Sequence, residues 1–170
     1  MKKLTNYLTV LIVLFASSCW YSNNVDDDVI TQPEYQYQAV TMLRSDFETS
    51  TILEDVKPLE ETGKIYVKDG YLFINQPNKG FHIFDNSDPS NPINMAFLNV
   101  LGSTDLSIKN NMLYINNATD LIAIKPDFST NTIEITKRVV NTFPELIAPD
   151  GFSYHYTAAN EVIIDWILNE

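Results

Sequence analysis

The stretch Lys64 to Asn75 (KIYVKDGYLFIN) recurs as Asp105 to Asn116 (DLSIKNNMLYIN). Self-similarity at a period of roughly 41 residues restricts a chain to an array of like units, each leaning on its neighbour. Ile65 aligns with Leu106, Val67 with Ile108, Lys68 with Lys109, Leu72 with Leu113, Phe73 with Tyr114, Ile74 with Ile115 and Asn75 with Asn116. After a one-residue adjustment the match resumes, with Phe81-His82-Ile83-Phe84 on Leu121-Ile122-Ala123-Ile124 and Ile93 on Ile133. The units are built of strands. Asp69-Gly70 and Asn110-Asn111 are two-residue links between apolar runs, of types that tolerate positive φ and favour type I′ hairpins.

Third strands follow at Gly80 to Asp85 and Leu121 to Lys125, and fourth strands at Ile93 to Val100 and Thr132 to Val139. The turn cluster Asn86-Ser87-Asp88-Pro89-Ser90-Asn91-Pro92 separates the last two in the first copy, and Pro126-Asp127-Phe128-Ser129 does so in the second. Four antiparallel strands per unit is the make-up of a propeller blade. The expectation is an all-β fold of two tandem four-stranded propeller-like blades, 64–103 and 104–141, forming a partial β-propeller after an N-terminal signal helix. Residues 39–63 read as a lead-in strand and linker, with 39–53 leaning to a strand. Residues 142–170 read as a C-terminal loop and strands, with Ser153 to Tyr156 and Val162 to Trp166 forming a hairpin around Ala159-Asn160. Two blades leave unpaired strand edges, so either these flanks cover them or the protein self-associates through its sheet edges.

The run YLFINQPNKGFHIFDNSDPSNP, within Lys64 to Pro92, resembles the LVIVD-repeat family of bacterial secreted and surface proteins. The resemblance extends over 63–140. It implies a β-propeller fold, an envelope location and a binding role, and it implies no catalytic residues. The second copy departs from the pattern, with Lys125-Pro126-Asp127-Phe128 in place of the acidic turn.

The N-terminus reads as an export signal. Lys2 and Lys3 precede an apolar run, Leu8 to Ala16, of roughly ten residues, about half of what spans a bilayer. Ala16-Ser17-Ser18-Cys19 then resembles the lipobox of bacterial lipoproteins, with Ala16 where Leu is more usual. Residues 1–18 are thus expected to be removed and Cys19, the one cysteine of the chain, to carry the lipid that holds the protein on a membrane. With a single cysteine there is no intrachain disulfide and no CxxC pair. Trp20 follows it, without the aspartate of the inner-membrane retention signal, and Asp26-Asp27-Asp28 resembles the acidic export signal of surface lipoproteins in the Bacteroides group. An outer-membrane location, periplasmic or surface-facing, is expected. A polar, turn-rich tether occupies 19–38.

Composition narrows the partners. A hydrophobic share of 45% supports a packed core, and a net charge of −11 disfavours nucleic acid and anionic headgroups. An envelope protein or a glycan fits better, and no cofactor is expected. Asp85, Asn86 and Asp88 offer oxygen ligands for Ca²⁺ at close spacing, but Asx turns with solvated carboxylates are the favoured reading. His82 and His155 read as strand residues used in packing or hydrogen bonding rather than in metal binding. The adjacent acids Glu54-Asp55 and Glu60-Glu61 read as solvated surface. Phe143, Phe152, Tyr154, Tyr156 and Trp166 suggest a sugar-stacking platform, with Tyr154, Tyr156 and Trp166 its candidate residues, although core packing is favoured for this set. No GxSxG, HExxH, P-loop or dinucleotide-binding pattern occurs. The sequence therefore reads as a non-catalytic, lipid-anchored binding or scaffolding module. Alternatives are an envelope-anchored enzyme acting on glycans or peptides, and a truncated, non-functional relative of longer propellers.

Overall fold

A computed structural model describes residues 35–169. The expected signal at 1–18, Cys19, the acidic run at 26–28 and the tether as far as residue 34 lie outside the described residues.

The described residues are all-β apart from one short helix. Its elements are β1 (Tyr37–Leu43), α1 (Arg44–Thr49), β2 (Ile52–Glu54), β3 (Ile65–Lys68), β4 (Tyr71–Gln76), β5 (Gly80–Asp85), β6 (Ile93–Asn99), β7 (Leu106–Lys109), β8 (Met112–Asn117), β9 (Asp120–Asp127), β10 (Thr132–Val139) and β11 (Glu161–Leu168). They form three antiparallel sheets, none of them closed: five strands in the order β2-β6-β5-β4-β3, four in the order β10-β9-β8-β7, and the pair β1-β11. Strands β3 to β6 and β7 to β10 are meanders, in which sequence neighbours pair, and β2 joins the first of them out of sequence by pairing with β6.

Turn chemistry sets the meanders. Asp69 and Gly70 have φ of 50° and 79°, Asn110 and Asn111 of 49° and 57°, the double left-handed conformation that type I′ hairpins need. The ladders then confirm the repeat position by position. Ile65 pairs with Ile74 as Leu106 pairs with Ile115, and Phe73 pairs with Ile83 as Tyr114 pairs with Ala123. Even the bulges correspond: one interrupts β5-β6 between Ile83 and Phe84, and its counterpart interrupts β9-β10 opposite Ala123 and Ile124. The ladders set Ile93 opposite Asp85 and Glu134 opposite Lys125. Ile93 therefore corresponds to Glu134 and not to Ile133, with which the sequence alone aligns it.

Alternation along the strands gives each sheet two faces. One face of the first sheet, carrying Tyr66, Phe73, Phe81, Ile83 and Leu98, shares a core with the face of the second carrying Leu106, Leu113, Ile115, Ile122 and Ile124. Burying such side chains stabilises the fold by about 1.5–3 kcal/mol each. Polar contacts close the seam: the Tyr66 hydroxyl donates to Asp105 at 2.5 Å and accepts from the Leu106 amide at 3.2 Å, and Lys64 pairs with the same carboxylate. A second, smaller core joins Val40, Met42, Val162 and Ile164 of the β1-β11 ribbon to Phe47, Leu101 and Ala118. Asp165 accepts hydrogen bonds from Asn78 and Lys79, so the ribbon lies at the sheet end that carries the β4-β5 turn.

The flanks depart from expectation. Residues 39–53 are not one strand: Arg44–Thr49 is helical, because its Phe47 turns into the ribbon core while Asp46, Glu48 and Thr49 stay outside. The short β2 that follows covers the β6 edge, making the first sheet five-stranded. The C-terminal hairpin does not form either. Ser153 to Tyr156 is not a strand, and β11 takes β1 as its partner.

Candidate functional site

The acidic turn is self-satisfied. Asp85 accepts the Ser87 amide at 2.8 Å and Asp88 the Ser90 amide at 3.0 Å, and the Asn86 amide donates to the Gly70 carbonyl at 2.7 Å. The hydroxyl and amide of Ser87 hold the Asp85 carboxyl below the usual carboxylate range. These are the Asx turns favoured from the sequence. Among the described residues, no three His, Cys, Asp or Glu side chains gather as a metal site.

His82 lies fully buried in β5, its Nε2 3.0 Å from Gln76 Oε1 and its ring edge-on to Phe97 at 4.8 Å. Burial, reinforced by the Lys57 ammonium and opposed by the Glu60 carboxylate, pushes its pKa down. Its repeat counterpart is the core residue Ile122, and packing explains it. His155 lies in a loop, not a strand as the sequence suggested.

The aromatic set overturns the expectation of core packing. Tyr154 and Tyr156 are 72% and 79% exposed, and Phe152 and Phe143 are exposed as well. The intervening Ser153 is buried and fixed: its amide and hydroxyl donate to Asp150 at 2.9 and 2.5 Å, and its oxygen accepts the Tyr37 amide at 3.1 Å. With Ser153 turned in, Phe152, Tyr154 and Tyr156 turn out. His155 Nε2 and Thr157 Oγ1, in the same segment, are buried and find no hydrogen-bond partner among the described residues, and buried polar atoms without partners are uncommon. Trp166 is separate in role, half-buried with its indole N–H donating to the Leu146 carbonyl at 2.9 Å. The structure thus groups two of the three candidate aromatics along one segment and assigns the third to holding the 143–147 segment.

Sequence reasoning missed a buried ionic node. Asp120 is fully buried and accepts from Arg44 at 2.6 Å, Arg138 at 2.8 Å and the Asn141 amide at 3.1 Å. Both guanidiniums also lie over the Phe47 ring, at 5.5 and 5.4 Å from its centroid. Burial opposes ionisation of Asp120, but the hydrogen bonds from the two arginines outweigh it and hold the carboxyl below its ordinary range. The acid is locked in place, which suits support rather than proton transfer. At the seam, burial and the Asp105 carboxylate push the Tyr66 hydroxyl up to about 12.

Residues 61–99 match the family model described as LVIVD repeat. The chain carries an LVIVD repeat. The matched span runs from the segment before β3 through β6 and so takes in the first meander. No curated protein and no solved structure matches the chain.

Proposed function

We propose that this protein is a non-catalytic, lipid-anchored envelope module whose blade-like sheets hold a binding surface on the exposed aromatic segment 152–157. The LVIVD repeat at 61–99 carries the reading, since it supports a repeat-based binding or scaffold module. The aromatics locate the surface. Exposed rings beside unpartnered hydrogen-bonding atoms suit a glycan, whose apolar faces stack on aromatics while its hydroxyls meet polar groups. Lipid at Cys19 would hold this surface at the outer membrane, on the periplasmic or outer side.

Two arms of one experiment test the reading. Cells fed labelled palmitate are expected to label the wild-type chain and not Cys19→Ala, and label persisting in the variant rules out the anchor. On an array of envelope glycans and peptides, Tyr154→Ala/Tyr156→Ala is expected to lose about tenfold in affinity, the scale of two stacking contacts of about 0.5–1.5 kcal/mol each. Undiminished binding by that variant removes the segment from the site, and cleavage of any array member favours the enzymatic alternative.

A further inference from the structure

The internal contact between the sheets joins two unlike faces. Within the chain, the Leu106/Ile108/Leu113 face of the second sheet covers the Tyr66/Phe73/Phe81 face of the first. By the ladder correspondence, the face of the first sheet that the second sheet does not cover presents Ile65, Val67 and Leu72, the counterparts of that covering set. The uncovered face of the second presents Ser107, Tyr114 and Leu121, the counterparts of the covered one. Exposure follows position in the array rather than residue chemistry. Ile65 and Val67 are 62% and 64% exposed where Leu106 is 5% exposed, and Tyr114 is 36% exposed where Phe73 is 2%.

We propose that a second copy of this chain supplies the missing contact, the β3-β4 face of one copy seating on the β7-β8 face of the next. The receiving surface is already a groove of about 670 Å³, lined by Ser107, Tyr114, Leu121, Phe143, Leu146 and Ile147. Lys64 already pairs with Asp105, and Lys68 with Asp69, inside the chain, so the fit between the two faces is one of apolar side chains rather than of free charges. The segment around Lys57 covers the far half of the donating sheet, with its ammonium over Phe97 at 4.5 Å. The strip left free is therefore the one nearest β3, opposite the groove beside β7. The contact is heterologous, one face meeting a different one, and so closes into a ring or runs on as a filament. Repeating the internal step closes the ring at two to four copies, the range set by propellers of four to eight blades. This differs from pairing of strand edges, since side chains rather than backbone groups meet. It rests on the sheet repeats of the proposed module and not on its anchor.

The test uses the full chain carrying Cys19→Ala, so that any introduced cysteine is the only thiol. Val67→Cys and Tyr114→Cys chains are each treated with a short bis-maleimide, alone and mixed. Cross-linked dimer is expected in the mixture only. Val67→Cys linking to itself, or no product in the mixture, overturns the proposal. Because Val67 is exposed, Val67→Asp is expected to keep its far-ultraviolet spectrum while its mass by sedimentation falls from two to four chains to one. An unchanged mass also overturns it. A wild-type chain that sediments as a monomer yet takes palmitate at Cys19 defeats the assembly and leaves the anchored module standing, whereas a ring without label does the reverse.

Discussion

Gly80 begins β5 at φ +148°, and a Cβ added there would lie 2.1 Å from the Leu98 carbonyl oxygen on the paired strand β6. Neither the backbone conformation nor the ladder can give way without the other. Gly151 has φ +77° but meets nothing within 4 Å. The two glycines therefore separate conformational cost from collision. Gly151→Ala is expected to lose about 1 kcal/mol, the cost of placing Cβ in a left-handed backbone. Gly80→Ala is expected to lose about 3 kcal/mol or more, because strand separation adds to backbone strain. Urea unfolding of the two variants checks this ranking, and near-equal losses would mean that β5 and β6 part freely at this point. The paired asparagines show a similar divergence under one alignment. Asn75 donates from its side chain to the Gly80 carbonyl at 3.1 Å, whereas Asn116 accepts the Thr104 and Asp105 amides at 2.9 and 2.8 Å and so fixes the loop into β7.

Among elements, α1, β9 and β10 are tied by one carboxylate, and their attachment should depend on its charge. Asp120→Asn leaves Arg44 and Arg138 facing a neutral amide in a buried setting, and a loss of about 3 kcal/mol is expected. Since the Asp120 carboxyl is held below its ordinary value, its contribution is present above the usual carboxylate range near 4 and is lost as pH falls through the lower folded value. The stability gap between wild type and Asp120→Asn should be constant near neutrality and shrink below about pH 4. A gap that does not change with pH assigns the loss to shape rather than charge. This node also marks where sequence reading stopped. The meander strands were legible because their cause is local: a left-handed pair such as Asp69-Gly70 between alternating apolar runs allows little else. Arg44, Asp120 and Arg138 share no spacing, and only the tertiary fold brings them together. The 39–53 segment carries threonines that favour a strand and a Phe47 placed for a helix, and packing against the ribbon decided between them. The exposure of Tyr154 and Tyr156 is not legible in the sequence, because composition shows that rings are available for a core but not that the two sheets have already filled it.

For the molecule as a whole, the main core takes its side chains from both repeats, so neither sheet has a complete interior without the other. Phe73, Phe81 and Ile83 lose their cover if the second sheet melts, as Ile115, Ile122 and Ile124 do if the first melts. The ribbon is bound to both through Leu101 and Ala118, which lie in the connection between the sheets and at the β8-β9 turn. Unfolding is therefore expected as one cooperative transition, with the far-ultraviolet signal of the sheets and the fluorescence of Trp166 in β11, recorded in a Trp20→Phe background, sharing a midpoint. Ile122→Ala, confined to the second sheet, is expected to shift that common midpoint by the equivalent of about 3 kcal/mol without splitting it. Two separated transitions would mean that the repeats fold independently and that the shared face is only a contact between finished units. A single shifted transition would mean that a two-repeat chain is the smallest unit able to bury its own core. Among the described residues such a unit still leaves part of one face of each sheet uncovered, and those faces are where a further copy would add.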